Sequence, residues 1–264
     1  MKVGVFQLAP QFGEVKKNME RVEKGLQQIK EALIVLPELF NTGYQFTSGE
    51  ELASLAEKIP DGPTTGRLAE LAHKNLLHIV AGIAEREGEK FYNSAVLVGP
   101  DGYIDHYRKV HLFLDEKLWF APGDKAWEIY DIGPAKIGLM ICFDWIFPEV
   151  ARTLVLKGAE VICHPSNLLI PFFGQRAMIT RSIENMVYTI TCNRTGWEER
   201  GGKERITFTG MSQVVSPRGE VFLSLKREEE GVALVGIDPM VARNKSFTPH
   251  NDLFRDRRAD LYAL

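Results

Sequence analysis

The chain of 264 residues is predicted to fold as an α/β protein with mixed sheets, on the basis of three observations. Apolar, strand-like segments alternate with amphipathic, helix-like segments along most of the chain. Several strand-like segments are almost wholly apolar, which is typical of strands covered on both faces. No linker-like or low-complexity segment interrupts the pattern, so residues 1–264 are expected to form a single domain.

In the first part of the chain, strands and helices alternate. The helix over 13–31 is predicted because Val15, Met19 and Val22 recur at steps of four and three residues, which places them on one face. Pro37 ends the second apolar strand. The remaining elements predicted here are strands over 2–8, 33–36 and 77–83 and helices over 51–57 and 63–76.

The second part of the chain is richer in strands and turns. The Gly-Pro-Asp-Gly segment over 99–102 indicates a hairpin between strands over 92–98 and 103–110. Strands over 127–132 and 136–142 are expected to pair, and Gly158 closes a helix over 147–157. Further predicted elements are strands over 160–164, 187–193, 208–215, 220–225 and 232–237, a helix over 175–186 and a helical turn over 241–244.

Composition excludes several classes of protein. Hydrophobic residues make up 45% and charged residues 25%, which is ordinary for a globular protein. The net charge of −3 gives no reason to expect nucleic acid or an anionic membrane as a partner. No run of about 18 apolar residues and no secretion signal is present. Three cysteines are an odd number, so free thiols in a reducing cytoplasm are expected.

Cys142 carries the strongest local signal for chemistry. It follows the apolar segment 137–141 and precedes a helix predicted to begin near Phe147. A strand–turn–helix corner lifts its central residue out of the sheet, exposes the side chain and favours the thiolate. The competing interpretation is a small buried hydrophobe, as most cysteines are. Cys163 and Cys192 lie within or at the end of apolar strands and are expected in the core.

Three ionisable residues could assist such a thiol. The apolar flanks of Glu38 favour its burial and a pKa raised toward the range useful for proton transfer. Lys109 ends a predicted strand and could stabilise an oxyanion, and Glu116 could hold Lys109 in place. The plain alternatives are a turn or capping carboxylate, a solvated lysine and a solvated glutamate. All these candidates end or follow strands, so they could meet at one edge of a sheet.

Six short motifs occur in a characteristic order along the chain. They are VFQ at 5–7, LPELF at 36–40, YRKVHLF at 107–113, ICFD at 141–144, HPSN at 164–167 and RSIEN at 181–185. With these motifs at this spacing, the sequence resembles the nitrilase superfamily of carbon–nitrogen hydrolases over nearly its whole length. The tail over 251–258 is similar to that of small prokaryotic members, including archaeal ones.

The resemblance implies a four-layer α-β-β-α sandwich and a homodimer. It implies Cys142 as the nucleophile, Glu38 as general base and then acid, and Lys109 as the oxyanion stabiliser. Glu116 would position Lys109 and the substrate. The implied enzyme cleaves the carbon–nitrogen bond of a small amide, other than a peptide bond, to a carboxylate and ammonia through a thioester. No metal or organic cofactor is implied.

The branch within the superfamily is less sharply defined. Phe143-Asp144-Trp145 stands where nitrilases usually have Trp-Glu, which favours the amidase branches. A small linear amide is the expected substrate, as for an ω-amidase or an aliphatic amidase. An N-carbamoyl amino acid hydrolase and an aliphatic nitrilase stay open. Phe113, Trp145 and Asn167 are expected to line the substrate pocket, with scaffold packing as the alternative.

Two interpretations from other classes compete with a carbon–nitrogen hydrolase. One is a cysteine protease or transglutaminase-like enzyme, in which Cys142 acts with His111 or His164 and with Asn167. The other is a non-catalytic binding protein on the same fold. The joint presence of Glu38, Lys109 and Cys142 argues against the second interpretation.

Overall fold

The computed structural model describes residues 1–262, which contain two six-stranded sheets covered by helices. The helices are α1 (Val15–Leu26), α2 (Gly49–Leu55), α3 (Pro63–Asn75), α4 (Glu116–Trp119), α5 (Pro148–Leu156), α6 (Phe173–Asn185) and α7 (Met240–Arg243). The strands are β1 (Lys2–Gln7), β2 (Ala32–Val35), β3 (His78–Glu87), β4 (Lys90–Gly99), β5 (Gly102–Arg108), β6 (Ile129–Asp131), β7 (Lys136–Leu139), β8 (Val161–Ser166), β9 (Tyr188–Asn193), β10 (Trp197–Glu198), β11 (Ile206–Thr207), β12 (Gln213–Val215), β13 (Val221–Ser224), β14 (Gly231–Gly236), β15 (Ser246–Thr248) and β16 (Asn251–Asp252). Within residues 1–262, every helix is too short or too polar to span a lipid bilayer.

Both large sheets are mixed, as predicted. The first sheet has the strand order β14-β1-β2-β3-β4-β5, and its central strands β1, β2 and β3 run parallel. The second sheet has the order β13-β12-β9-β8-β7-β6, with β7, β8 and β9 parallel. Antiparallel strands flank the parallel centre of each sheet, among them the predicted hairpin of β4 and β5 and the predicted pair of β6 and β7.

Alternation along the strands explains how the layers pack. In β2, Leu33 and Val35 point into the core between the two sheets, whereas Ile34 points toward α1 and α3. On the second sheet, Ile162 of β8 points outward and packs with Leu154 of α5 and with α6. The layers therefore follow the order helices, sheet, sheet, helices, and the predicted four-layer α-β-β-α sandwich is confirmed.

The helix predicted over 13–31 is too long at its C-terminus, since α1 ends at Leu26. The carbonyl oxygen of Leu26 accepts hydrogen bonds from Asn75 Nδ2 at 2.9 Å and from Ile29 N at 3.0 Å. These two hydrogen bonds replace the one that the Leu26 carbonyl would accept if the helix continued for a further turn. The side chain of Asn75 comes from a distant helix, so local periodicity could not reveal this ending.

The strand predicted over 208–215 is wrong in its first half, because only β12 at its end is paired in the sheet. Thr209 N instead donates to Leu168 O at 2.9 Å, and Gly210 N donates to Arg194 O at 3.1 Å. Residue 211 has a positive φ of 58°, which no regular strand tolerates. This segment is an irregular crossing that connects the edge of the sheet to loops from other elements.

The two cysteines assigned to the core are buried there, as predicted. Cys163 and Cys192 are fully buried and lie between the two sheets. Cys192 Sγ donates a hydrogen bond to the carbonyl oxygen of Phe6, so the thiol of this buried side chain has a hydrogen-bond partner. All three cysteines of the chain are free thiols.

A buried ion pair ties β3, β4 and β5 together next to the predicted site. The carboxylate of Glu85 accepts hydrogen bonds from Arg108 Nε at 3.0 Å and from Ser94 Oγ at 2.6 Å. Burial alone would raise the pKa of Glu85, but hydrogen bonds from His106, Arg108 and Ser94 lower it to about 2. Because Arg108 immediately precedes Lys109, this pair also fixes the end of β5.

The Glu85 ion pair predicts a pH-dependent loss of stability. Its folded-state pKa of about 2 lies below the ordinary value of 4.5, so the stabilisation is present above pH 4.5 and is lost as pH falls toward 2. Glu85→Gln is expected to lower the free energy of unfolding by about 3 kcal/mol at neutral pH. It should also flatten the decline of stability between those two pH values, as measured by urea denaturation.

Glu87→Gln is the matched control for this prediction. Glu87 contacts the same Arg108, but its side chain is 61% exposed, so its removal is expected to cost less than about 1 kcal/mol. An equal loss of stability in both variants would contradict the special contribution of Glu85.

Candidate active site

Three of the predicted site residues form one buried ionic cluster. Lys109 Nζ lies 2.7 Å from Glu38 Oε1 and 2.7 Å from Glu116 Oε1. Glu38 and Lys109 are fully buried, and Glu116 is 3% exposed. They come from the loop after β2, the end of β5 and the first position of α4, so the fold brings together residues that are far apart in sequence.

Glu38 is placed by a close approach of two backbone segments. Gly82 of β3 donates its N–H to Pro37 O at 3.1 Å and accepts from Phe40 N at 2.9 Å. A Cβ at Gly82 would lie 2.4 Å from the Cα of Glu38, so only glycine fits there. The carboxylate of Glu38 therefore sits inside the molecule at a fixed position beside β3.

The two oxygens of the Glu38 carboxylate have different surroundings. Oε1 accepts hydrogen bonds from Lys109 Nζ and, at 2.7 Å, from Asn93 Nδ2. Oε2 is buried and has no hydrogen-bond partner among the described residues. One oxygen is thus held in place while the other is available to an incoming proton donor.

Lys109 remains an ammonium group in spite of its burial. Burial alone would lower the pKa of its amine, but the charges of Glu116 and Glu38 outweigh that effect and raise it. Its backbone is fixed as well, because Lys109 N donates to Asn93 O at 2.8 Å and Lys109 O accepts from Gly123 N at 2.8 Å. The cluster therefore presents a positive charge at a defined point.

Glu116 is the second carboxylate that binds Lys109. Its carboxylate accepts hydrogen bonds from Lys109 Nζ, from Phe113 N at 3.1 Å and from the hydroxyl of Tyr44 at 2.8 Å. Burial raises the pKa of Glu116, with the charge of Glu38 adding to the effect and Lys109 opposing it. Because the pKa of Glu116 is raised, this cluster of two carboxylates and one ammonium takes up a proton at a higher pH than an exposed glutamate does.

Cys142 begins a 3-10 helix, Cys142–Ile146, directly after β7 and its two following residues. Its φ of 39° lies in the left-handed region, the strained conformation of a sharp corner. The predicted corner is present, but the expected exposed thiolate is wrong, since Cys142 is only 4% exposed. Burial and the negative charge of Glu38 raise the pKa of its thiol well above the usual value, although Lys109 opposes them. The thiol therefore rests in its neutral form, facing the ionic cluster.

The corner after β7 is anchored by the buried carboxylate of Asp144. One of its oxygens accepts hydrogen bonds from Ile141 N and from the hydroxyl of Tyr107, both at 2.9 Å. The other accepts from His111 Nδ1 at 2.7 Å and from His111 N at 3.3 Å. Because Tyr107 and His111 lie on either side of Lys109, Asp144 links the corner to the segment that carries the ammonium group.

His164 supports the backbone of the corner rather than the thiol. Its Nε2 lies 2.9 Å from the carbonyl oxygen of Cys142, and its Nδ1 lies 3.1 Å from Thr191 Oγ1. Burial lowers the pKa of His164 to about 4, so the ring is neutral at pH 7. With both ring nitrogens of His164 engaged, and His111 bonded to Asp144, the geometry does not support a histidine-activated cysteine protease.

The predicted substrate residues lie around one cavity beside the thiol. Phe113, Trp145, Asn167 and Cys142 all line this cavity, which has a volume of about 160 Å³. The ring centroid of Phe113 lies 4.8 Å from that of Phe143, so the aromatic wall is continuous. The structure thus brings the seven predicted site residues to one region, four in or facing the ionic cluster and three on the cavity wall.

Two side chains that contact the cluster were not singled out from the sequence. Asn93 donates to Glu38, and the Tyr44 hydroxyl donates to Glu116. Asn93 has a readable signal, since it is a polar residue at the start of the apolar run of β4. Tyr44 follows a polar turn and has no periodic pattern, so only the fold shows that it reaches the cluster.

Comparison with known proteins agrees with this fold. The family model for carbon-nitrogen hydrolase matches residues 2–245. A nitrilase from Pyrococcus abyssi is 48% identical over 265 residues, covering 99% of each chain. An (R)-stereoselective amidase from Pseudomonas sp is 32% identical, covering 98% of this chain and 92% of the amidase.

Solved structures show the same relationship. The crystal structure of a carbon-nitrogen hydrolase from Helicobacter pylori G27 superposes with a TM-score of 0.87 at 30% identity, covering 99% of this chain and 97% of that one. The family model matches nearly the whole chain, and several relatives are more than 30% identical to it. Both findings show membership of the family. The chain belongs to the carbon–nitrogen hydrolase family, within the nitrilase superfamily, and is an enzyme that hydrolyses carbon–nitrogen bonds.

Proposed function

We propose that this chain is a cysteine-dependent amidase that cleaves a small linear amide to a carboxylate and ammonia through a thioester intermediate. The observation that carries the proposal is the buried cluster in which Glu38 and Glu116 share Lys109 beside a neutral thiol. Such a cluster supplies a base and a fixed positive charge to a nucleophile that has neither of its own.

In the first step, Sγ of Cys142 attacks the carbonyl carbon of the amide while Glu38 takes the thiol proton. A base is necessary because burial and the charge of Glu38 keep the thiol protonated at neutral pH. The unpartnered Oε2 of Glu38 is the oxygen that suits this task. Deprotonation then accompanies the attack instead of preceding it.

Lys109 stabilises the charge that develops on the carbonyl oxygen. As the sulfur–carbon bond forms, the oxygen becomes an oxyanion, and an ammonium group in a buried site stabilises it strongly. When the carbonyl re-forms, the carbon–nitrogen bond breaks and Glu38 returns the proton to the leaving nitrogen. Ammonia departs, and the acyl group remains on Cys142 as a thioester.

Water completes the cycle. It attacks the thioester carbonyl while Glu38 takes one of its protons, and Lys109 again stabilises the oxyanion. The carbon–sulfur bond breaks, the thiol of Cys142 regains a proton from Glu38, and the carboxylic acid leaves. Glu116 acts as a positioning residue in both halves, because it fixes Lys109 and the backbone N–H of Phe113.

Nitrile hydrolysis is the second candidate function, because the relative at 48% identity is a nitrilase. The same thiol would add to the nitrile carbon while its proton passes to the nitrogen, which forms a thioimidate. One water molecule would then release ammonia and leave a thioester, and a second would break the carbon–sulfur bond to give the acid and the free thiol. N-carbamoyl amino acids also stay open as substrates of the same site. These alternatives differ from the amidase in substrate and not in the roles of the cluster.

The proposal is tested by measuring ammonia release from short amides, N-carbamoyl amino acids and nitriles. We expect the wild-type chain to release ammonia from at least one small amide and to form an acyl adduct on Cys142 that mass spectrometry detects. Cys142→Ala should show neither, because it lacks the nucleophile. Cys163→Ala, which removes another buried thiol, is the matched control and should retain turnover. A Cys142→Ala variant with full activity would end the proposal.

Replacing the shared ammonium tests its catalytic role. Lys109→Met is expected to lower kcat by about 10²–10³, the typical effect of removing one oxyanion donor. Lys203→Met is the control, since Lys203 also pairs with a carboxylate, Asp115, but is 28% exposed. A steady-state comparison in which Lys109→Met changes KM alone would contradict this role. Thermal melts of both variants separate lost catalysis from lost folding.

The assembly is proposed to be a homodimer, and the compartment the cytoplasm. Besides the family resemblance, large apolar side chains such as Leu156 of α5 and Ile183 of α6 are 45% and 46% exposed on neighbouring helices. The three free thiols suit a reducing compartment.

Light scattering tests the dimer. A mass of twice 29.8 kDa is expected. Ile183→Glu should shift the protein toward monomer, because a carboxylate would be buried in the interface. Ile104→Glu, a similarly exposed position on β5, should not shift it. A monomeric wild-type chain would refute the dimer.

A further inference from the structure

The cavity beside Cys142 has almost no polar surface. Its volume is about 160 Å³, and a cavity of about 150 Å³ can hold a benzene molecule. Apart from Cys142 and Asn167, its main lining side chains are apolar, namely Phe113, Phe143, Trp145, Ile146, Leu168 and Ile170. No acidic or basic side chain belongs to its lining in the described part of the chain.

This lining decides which acyl groups can enter. A carboxylate or ammonium that moves from water into an apolar cavity loses its hydration and finds no partner there. Lys109 does not line this cavity, and in the proposed mechanism it binds the reacting carbonyl oxygen, so it offers no partner to the far end of an acyl chain. An acyl group with a charged far end is therefore disfavoured, and an uncharged one is favoured.

Among the described residues that line this cavity, Asn167 alone has an amide side chain. It is 2% exposed, and neither its Oδ1 nor its Nδ2 has a hydrogen-bond partner in the described residues. The nearby Asn193 differs, because its side chain is fully engaged by Leu168 N, Thr209 Oγ1 and Gly210 O. Buried polar groups without partners are rare in proteins, so the amide of Asn167 is suited to a ligand.

The place of Asn167 also indicates which part of the ligand it meets. Asn167 lines the same cavity as Cys142, and its backbone N–H acts to lower the pKa of that thiol, which places the residue near the sulfur. We therefore expect the side chain of Asn167 to meet the carbon next to the carbonyl under attack rather than the distal end of the acyl chain.

We propose that this cavity is an acyl pocket for uncharged, mainly apolar acyl groups up to about the size of a phenyl ring. Asn167 is its specificity residue and pairs with a neutral polar group, such as a hydroxyl, on the carbon next to the carboxamide. This inference rests on the proposed function and narrows it. It favours uncharged aliphatic amides over the monoamides of dicarboxylic acids and over cationic amides.

A matched series of six-carbon primary amides tests the pocket. Hexanamide, adipamate and 6-aminohexanamide differ only in a neutral, anionic or cationic end. We expect kcat/KM for hexanamide to exceed that for either charged amide by about 100-fold or more. A charged member as the best substrate would overturn the acyl pocket while leaving the amidase intact.

The role of Asn167 is tested by adding a hydroxyl to the substrate. 2-Hydroxyhexanamide is expected to exceed hexanamide in kcat/KM by about 10-fold in the wild-type chain, the value of one good hydrogen bond. Asn167→Leu keeps the approximate shape and should bring this ratio close to one. A ratio that stays at its wild-type value in Asn167→Leu would overturn the role of the residue.

A variant that introduces a positive charge at the rim of the cavity should shift the substrate preference in the opposite direction, toward the anionic amide. Ile170→Lys places an ammonium at the rim, where Ile170 is 44% exposed, and should raise the adipamate-to-hexanamide ratio by about 10-fold or more. Val221→Lys adds the same charge at an exposed position of β13 and should leave the ratio unchanged. Equal ratios in both variants would count against the cavity as the acyl site.

A measurement of binding without turnover distinguishes a failure of the proposed amidase function from a failure of the acyl pocket. In Cys142→Ala, ligand-observed NMR is expected to show hexanamide bound about 10-fold or more tightly than adipamate. If no amide is hydrolysed by the wild-type chain but this preference holds, the proposed function fails and the pocket stands. If adipamate binds as well as hexanamide, the pocket itself is refuted.

Discussion

One buried ammonium shared by two buried carboxylates is the constraint on which the rest of the site depends. Removing three charges from water is costly, and the cost is recovered only when the partners stand at hydrogen-bond distance. Lys109, Glu38 and Glu116 meet this condition with two contacts of 2.7 Å. The end of β5, the loop after β2 and the start of α4 therefore have little freedom to move, since any displacement would leave a charge unpaired.

The residues of the proposed site are divided between the two halves of the sandwich. The first sheet and its loops carry the charged groups, whereas the second sheet carries the thiol at a strained corner. Asp144 links the two halves, because its carboxylate accepts hydrogen bonds from the backbone beside the corner, from Tyr107 of β5 and from His111 in the loop after β5. Reactive groups on separate sheets can thus keep a fixed geometry although no single element contains them.

The fold was more predictable than the details of the site, and the reason is physical. Alternation along strands and periodicity along helices are local properties, so the layers could be predicted from the sequence. The burial of Glu38 could be predicted as well, because apolar residues flank it. The protonation of Cys142 could not, since it depends first on the burial of the thiol by the fold and then on the charge of Glu38, which lies on another element. Asn93 and Tyr44 lie 55 and 72 residues from the carboxylates they contact, beyond the reach of any local pattern.

The neutral, buried thiol has a consequence for chemical durability. Peroxides and alkylating reagents react with thiolates, and a thiol whose pKa is raised offers them very little of that form. Cys142 is also almost inaccessible from solvent. The raised pKa of the thiol and its near-complete burial therefore both limit the attack of oxidants and alkylating reagents from solution on this sulfur.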